Sequence, residues 1–486
     1  MLLGKLASAG MTLPDGAAAI DISGLSADSR LIERGFLFAA LPGTTTDGAR
    51  FAGDAIGRGA VAVLAGRSAE IDVGPEIALV RADDPRLALA VMAARFHRRQ
   101  PEKLVAVTGT SGKTSVVSFT RQIFEAAGKN AASIGTLGVV SPGWSEYGSL
   151  TTPDPVALHA MLDRLAGTGV THAAIEASSH GLDQRRLDGL RLVAAGFTNL
   201  GRDHMDYHPT VADYLSAKLR LFDAILPADG TAVVDMDGAH AAQVAATAAA
   251  RGQTLIGVGR KGPDLRLVEA FAEGFYQRLV VDAFGKRRDV LLPLAGAFQV
   301  SNALVSAGLA VAAGIDVETA VAALDTLVGA PGRLELVGRR ANGGMIFVDY
   351  AHKPDALGSV LQALRPLTGG KLVVVFGAGG DRDHGKRLLM GTAAARFADI
   401  VIVTDDNPRS EEPAAIRKAI LVGAPAAVEI GDRGRAIREA ISMLGPGDVL
   451  CVAGKGHETG QLIGGKRLAF SDHDVVRNSL AEEAAA

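Results

Sequence analysis

Along most of this chain, apolar runs of five or six residues alternate with stretches whose hydrophobic positions recur every three or four. The first pattern predicts buried strands and the second amphipathic helices. Three sections follow from the alternation. The first, 1–99, carries strands in "GFLFAA", "AVAVLAG" and "EIALVRA" between small helices, and closes in the polar, proline-stopped "HRRQPEK". The second, 100–332, ends at the Pro-Gly turn of "GAPGRLE". The third, 333–486, alternates most cleanly, with strands in "MIFVDY", "LVVVFGAGG", "DIVIVTDD" and "DVLCVAGKG". Continuous apolar strands between helices predict mostly parallel sheets covered on both faces, an α/β fold class. The alanine-rich stretch 239–251 reads as helix.

The boundary between the first two sections leads into "KLVAVTGTSGKTSVV", residues 103–117. An apolar strand runs into a polar loop, and from Val116 the spacing Val116, Phe119, Ile123, Ala127 marks one face of a helix that stops at Gly128. Gly109 and Gly112 let the backbone turn its N–H groups toward an anion at the helix start. Lys113 supplies a point charge for terminal phosphates, and the Thr114 hydroxyl suits Mg²⁺. Val107 stands where the longer form of this loop has glycine, so the motif is G-x-x-G-K-T. Such a loop binds a nucleotide.

Six polar clusters follow predicted strand ends. "AIEASSHG" and "FTNLGRDHMDYH" do so in the second section, and "FVDYAHKPDA", "FGAGGDRDHGKR", "VTDDNPRSEEP" and "VAGKGHE" in the third. Ligands of open α/β sheets bind outside those carboxyl ends, so the clusters are placed to share a crevice. With Thr114, Glu176 and His204 offer oxygen and nitrogen donors for Mg²⁺. Singly, His204 is as well read as a hydrogen-bonded structural histidine, and Glu176 as a satisfied buried acid. His180, His208 and His457 have weaker claims. Lys218 reads as a helix lysine on a solvated face. Arg382 and Arg409 lie in acid-containing loops, where a guanidinium serves a ligand carboxylate or a local salt bridge; spacing leaves both open.

At 486 residues the chain is too long for one core, and a hydrophobic fraction of 48% with 21% charged residues is that of a soluble globular protein. A net charge of −3 gives no basic field for nucleic acid. Cys451, the single cysteine, excludes an internal disulfide and a cysteine metal site. The N-terminus lacks a targeting pattern and no 18-residue apolar run occurs, so a cytoplasmic location without a membrane partner is expected.

In order along the chain, "TGTSGKT", "EASSHGLDQRR", "TNLGRDHMDYH", "YLSAKLRLF", "GAFQVSNAL", "PGRLE", "VDYAHKPDAL", "GAGGDRDHGKR", "TDDNPR" and "VAGKGHE" resemble the ATP-dependent Mur ligases of peptidoglycan synthesis. The resemblance runs from about residue 25 to the C-terminus, with "ADSR" and "GTTTDG" included, and favours the branch that adds 2,6-diaminopimelate. It implies a smaller N-terminal α/β domain for the UDP of the substrate, a central ATPase, and a C-terminal Rossmann-like domain for the incoming amino acid. The implied substrates are ATP, UDP-N-acetylmuramoyl-L-alanyl-D-glutamate and meso-2,6-diaminopimelate, handled by a monomer. Ala27, Ser29, Thr44, Thr45 and Thr46 would meet the uridine nucleotide. Thr151, Thr152, Ser178, Gln184 and Arg186 would meet the muramoyl-peptide. Gly109, Thr110, Ser111, Gly112, Lys113, Thr114 and Ser115 would hold ATP, with Asn302 and His352 near its adenine. Lys218 aligns with a lysine that the family carbamylates with CO₂, a reaction that needs the neutral amine. As a carbamate it would join Thr114, Glu176 and His204 around Mg²⁺, and Lys113, Glu176, His204 and Lys218 would be the catalytic set. Asp406, Asn407, Pro408 and Arg409, with Arg382, Gly454 and Glu458, would bind diaminopimelate.

Two positions depart from the family pattern. Gln299 replaces the usual asparagine of G-x-F-N-V-x-N, and Leu150 stands where a polar residue is common. A folylpolyglutamate synthetase shares the short phosphate loop but needs neither a UDP-binding section nor the diaminopimelate motif. A nucleotide-dependent switch would leave Lys218 and the third section's strand-end clusters without a task.

Overall fold

The computed structural model describes every residue except Thr44, Thr45, Tyr147, Ser149, Arg202, Asp206 and Ala486. The expected contacts of Thr44 and Thr45 with a nucleotide therefore lie outside the described residues. The chain forms two compact units: Met1–Arg266 with Ala283–Gly285 and Leu304–Ala320, and Leu267–Asp282 with Lys286–Ala303 and Val321–Ala486.

The first unit holds two sheets. In the N-terminal one, strands Gly24–Ser26, Phe36–Ala40, Ala62–Gly66 and Ala78–Ala82 run parallel, and Met11–Thr12 closes the edge antiparallel. The larger sheet runs Thr254–Gly259, Thr231–Asp235, Leu192–Phe197, Lys103–Thr108, His172–Glu176 and Ala131–Gly135, all parallel. Antiparallel strands Gly138–Ser141 and Trp144–Glu146 extend its edge. Lys103–Thr108 thus lies between the strands that end at Glu176 and Phe197, which sets the phosphate loop beside two of the polar clusters. The alanine-rich segment is helix Ala241–Ala250, as alanine's propensity requires.

The second unit is built on Met345–Asp349, Val449–Ala453, Leu372–Phe376, Ile400–Val403 and Val428–Glu429, all parallel, with Glu335–Arg339 antiparallel at one edge. Phe347, Val374, Phe376 and Cys451 enter one core, and Ile346, Val348, Val373, Val375, Leu450 and Val452 the other. Strands buried on both faces need apolar residues at every position, which is why their sequences run unbroken. Two antiparallel pieces escaped the sequence pattern: the meander Leu265–Glu273, Tyr276–Ala283, Lys286–Leu292, and the hairpin Gly460–Ile463 with Lys466–Ala469. Many of their side chains are exposed, so no continuous apolar run marks them.

Within the first unit, helix Pro85–Phe96 packs on helix Pro155–Gly167, where His159 is fully buried. Its Nε2 lies 3.2 Å from Asp188 O, and its Nδ1 has no partner among the described residues. Burial, with smaller effects from His97 and Arg191, pushes the imidazole from 6.5 down to about 4. A group depressed in this way adds stability that is full above its unfolded pKa and disappears as the pH falls through its folded one. We expect the Tm to fall between pH 6.5 and about 4, with His159 contributing on the order of 3 kcal/mol. His159→Gln keeps an N–H for Asp188 O without titrating there, so its Tm profile should be shallower; an unchanged slope would show that His159 is not responsible.

Candidate active site

Strand Lys103–Thr108 ends at Gly109, whose φ is 151° and where a Cβ would stand 1.9 Å from Thr198 Oγ1. Only glycine fits that approach. Gly112, left-handed with φ 89°, begins helix Lys113–Ala126 without a side-chain cap among the described residues, a helix start of the kind that suits an anion. The loop differs from the expectation in one respect. Thr110 N donates to Asn199 O at 2.9 Å and Ser111 N to Asn199 Oδ1 at 3.0 Å, so these two N–H groups hold the loop's shape and do not face an anion. Thr198 Oγ1 adds a bond to Ser111 O at 2.7 Å.

Two lysines meet on one carbonyl. Lys113 Nζ donates to Gly109 O at 2.8 Å and to Thr110 O at 3.1 Å, and Lys218 Nζ also donates to Gly109 O at 2.8 Å. Lys218 is 1% exposed, and its ammonium lies 4.3 Å over the Tyr214 ring. The solvated-face reading of Lys218 is therefore wrong: helix Val211–Arg220 turns it inward and runs on into the π-helical turn Leu221–Ile225. Tyr214 OH lies 3.2 Å from Thr110 Oγ1, and burial raises its phenol.

Beside the loop, Glu176 ends its strand and is buried. Its Oε1 accepts from Thr136 N at 2.8 Å and its Oε2 from Thr136 Oγ1 at 3.2 Å. Thr136 Oγ1 lies 3.1 Å from Thr151 Oγ1. Thr152 Oγ1 donates to Glu176 O at 2.8 Å and accepts from Ser178 N at 3.0 Å. Arg186 donates to Thr152 O at 2.8 Å and to Gln184 Oε1 at 2.7 Å, and Gln184 Nε2 donates to Tyr207 OH at 3.2 Å. Thr151, Thr152, Ser178, Gln184 and Arg186 thus form one connected network with Glu176. His204 is exposed with φ 54°, and its ring stands edge-on to His180 at 4.7 Å. In the N-terminal sheet, Ser29 is buried at a short turn, while Ala27 and Thr46 are exposed. Leu150 is 47% exposed.

The second unit gathers another site at its parallel strand ends. Asp406, Asn407 and Pro408 are buried, and Arg409 is half-buried with φ 55°. Hairpin strand Gly460–Ile463 fastens this segment. Gln461 Nε2 donates to Asp406 O at 2.7 Å, Leu462 N to Asn407 Oδ1 at 2.9 Å, Arg409 N to Leu462 O at 2.9 Å, and Gly464 N to Arg409 O at 2.7 Å. Arg409 Nη1 donates to Gly380 O at 2.8 Å. Neither Arg409 nor the exposed Arg382 forms a local salt bridge among the described residues. Gly454, with φ 112°, leaves room for Asp406 Oδ2, which a Cβ there would approach to 2.6 Å. Behind the site, Arg433 is fully buried. It grips both oxygens of Asp472 at 2.7 Å and donates to Ala453 O at 2.9 Å, which fixes the strand end from which Gly454 leaves.

Asn302 and His352 also fall in the second unit. Asn302 Nδ2 donates to Gln299 Oε1 at 2.9 Å, so the departure at Gln299 is absorbed by orienting the asparagine. His352 Nδ1 lies 2.9 Å from Tyr350 O, and burial pushes the imidazole down to about 4. Sequence reasoning passed over Asn199, Thr136, Tyr207, Tyr214 and Lys455. All but Thr136 lie inside quoted motifs, so the signal was present but went to their neighbours.

Among the described residues no three His, Cys, Asp or Glu side chains form a ready metal cluster. The oxygens of Thr114 and Glu176 suit a hard cation, provided that phosphate oxygens and a further carboxylate complete the set.

The chain matches the Mur ligase family catalytic domain over residues 21–105, the Mur ligase middle domain over 107–310, and the Mur ligase glutamate ligase domain over 332–456. It is 59% identical over 479 residues to the UDP-N-acetylmuramoyl-L-alanyl-D-glutamate–2,6-diaminopimelate ligase of Mesorhizobium japonicum, covering 98% of this chain and 99% of that one. It is 58% identical over 464 residues to the enzyme of the same name from Chelativorans sp., covering 96% of each. A solved structure of a ligase of that name superposes with a TM-score of 0.70 at 33% identity, covering 95% of each chain. The chain belongs to the Mur ligase family.

Proposed function

We propose that this protein joins meso-2,6-diaminopimelate to the D-glutamate of UDP-N-acetylmuramoyl-L-alanyl-D-glutamate, with cleavage of ATP to ADP and phosphate. It would act in the cytoplasm as a monomer. Residues 1–99 would take the UDP, 100–332 the ATP, and 333–486 the amino acid. The observation that carries the reading is the second-unit site. Arg409, a cation outside any local salt bridge among the described residues, and Glu458, an anion, are tied through Asn407 and Leu462 to one hairpin strand. A cation and an anion so held suit an amino-acid head, which carries a carboxylate and an ammonium.

A free carboxylate resists an amine because its leaving group would be oxide. Transfer of the γ-phosphoryl group to that carboxylate gives an acyl phosphate; the amine then attacks the acyl carbon and phosphate departs. Lys113, beside the loop, stabilises charge on the phosphoryl group in transfer. Mg²⁺ would be held by Thr114, Glu176, His204 and a carbamate on Lys218, and when bound it neutralises phosphate charge. The Thr151–Arg186 network orients the muramoyl-peptide beside Glu176. Phosphate release that requires both the muramoyl-dipeptide and an amino acid, assayed over an amino-acid panel, tests the reading; release with neither would overturn it.

Lys218 supports the carbamate through its surroundings. Two ammonium groups on Gly109 O repel each other, and carbamylation of Lys218 leaves Lys113 facing an anion instead. We expect ¹³CO₂ to label one lysine, and Lys218→Ala to remove the label with about a hundredfold of activity. A short added carboxylic acid should restore part of it. An active enzyme without label at Lys218 would overturn the assignment.

A further inference from the structure

Lys455 is a cation with a side chain 0% exposed. An ammonium out of water is tolerated only with partners. Lys455 Nζ donates to Asn407 Oδ1 at 3.1 Å and to Glu458 Oε2 at 2.9 Å. Asn407 Nδ2 donates to the same Glu458 Oε2 at 2.9 Å, and Asn407 Oδ1 also accepts from Leu462 N at 2.9 Å. The Leu462 N–H identifies the oxygen end of the Asn407 amide and so fixes the direction of each bond in the triangle. Glu458 Oε2 accepts twice from the protein. Its Oε1 accepts nothing among the described residues, and the side chain remains 28% exposed. One oxygen is held and the other is available.

We propose that Lys455 is a positioning residue for amino-acid recognition, holding Asn407 and Glu458 in one geometry so that Glu458 Oε1 receives the ammonium of the incoming diaminopimelate head. This rests on the reading that residues 333–486 take the amino acid. The triangle spans two strand-end loops: Asn407 follows Ile400–Val403, and Lys455 and Glu458 follow Val449–Ala453. Lys455 is thus the charge that couples them. Without it, Asn407 Oδ1 and Glu458 Oε2 lose the donor they share, and the Glu458 carboxylate keeps only one of its two donors.

The test is steady-state kinetics of the full-length enzyme with Lys455→Met. The KM for diaminopimelate should rise at least about tenfold, with the KM values for ATP and the UDP-linked substrate within about twofold. Lys455→Met/Glu458→Gln removes both charges with little change of shape, and serves if the single variant does not fold. It should lose diaminopimelate affinity to a similar extent. A diaminopimelate KM within about twofold of wild type, or an equal rise in all three KM values, overturns the proposal. Failure of both variants to fold does so too, since it assigns Lys455 to the core. A wild-type enzyme that ignores diaminopimelate refutes the function proposed above; a wild type that uses it while both variants match it refutes the role of Lys455 alone.

Discussion

Lys113→Met is expected to abolish amide formation, by about a thousandfold or more in kcat, while the UDP-linked substrate still binds. The ammonium stands on Gly109 O and Thr110 O at the mouth of the loop, at the first residue of the helix. Methionine keeps the length of the side chain and removes only the charge, so the loss reports stabilisation of the phosphoryl group in transfer. Calorimetric titration with the UDP-linked substrate should show affinity close to wild type. Retention of more than about a tenth of kcat, a loss of only ~1.4 kcal/mol, would remove Lys113 from the role assigned to it.

The choice of amino acid should be nearly as sharp. Diaminopimelate and lysine share an amine-bearing chain, but diaminopimelate carries a second amino-acid head. The Arg409 guanidinium donates to Gly380 O and lies where a Cβ on Gly379 would come within 2.8 Å of Nη1, so it is held against backbone on one side. A distal carboxylate gives it a bidentate partner, and lysine leaves it with none. We expect diaminopimelate to be preferred over L-lysine by at least about a hundredfold in kcat/KM. Arg409→Ala should lose ~2–5 kcal/mol of that recognition, roughly 30- to several-thousand-fold, with the KM values for ATP and the UDP-linked substrate within a few fold. It should not become a lysine enzyme, because lysine gains no new contact. Equal use of the two amino acids by the unmutated protein would falsify the assignment of Arg409 as selector.

What the sequence disclosed divides along physical lines. The parallel strands were legible because burial on both faces makes them apolar without interruption, as in Leu372–Phe376. The turn from strand Lys103–Thr108 into helix Lys113–Ala126 was legible because Gly109 and Gly112 each answer a separate backbone requirement. The hairpin Gly460–Ala469 was not, since its second strand is exposed throughout and leaves no period to read. Lys218 misled for a related reason. A lysine on an amphipathic helix belongs in solvent unless a distant carbonyl receives it, and the link to Gly109 O spans more than a hundred residues. Arg433 and Asp472 were likewise invisible, because a buried pair contributed by two helices has no local signature.

That hairpin bears on how specificity could change in descent or by design. Asp406 O, Asn407 Oδ1 and the main-chain N and O of Arg409 are all bonded to residues 461–464. The proposed selector and its splint are therefore one structural module. A graft that carries residues 406–409 from a relative with another appetite, and leaves the host's 460–469 in place, pairs a new backbone path with an old splint. On the proposed role of Arg409, transplanting specificity in this architecture means moving two separate segments together.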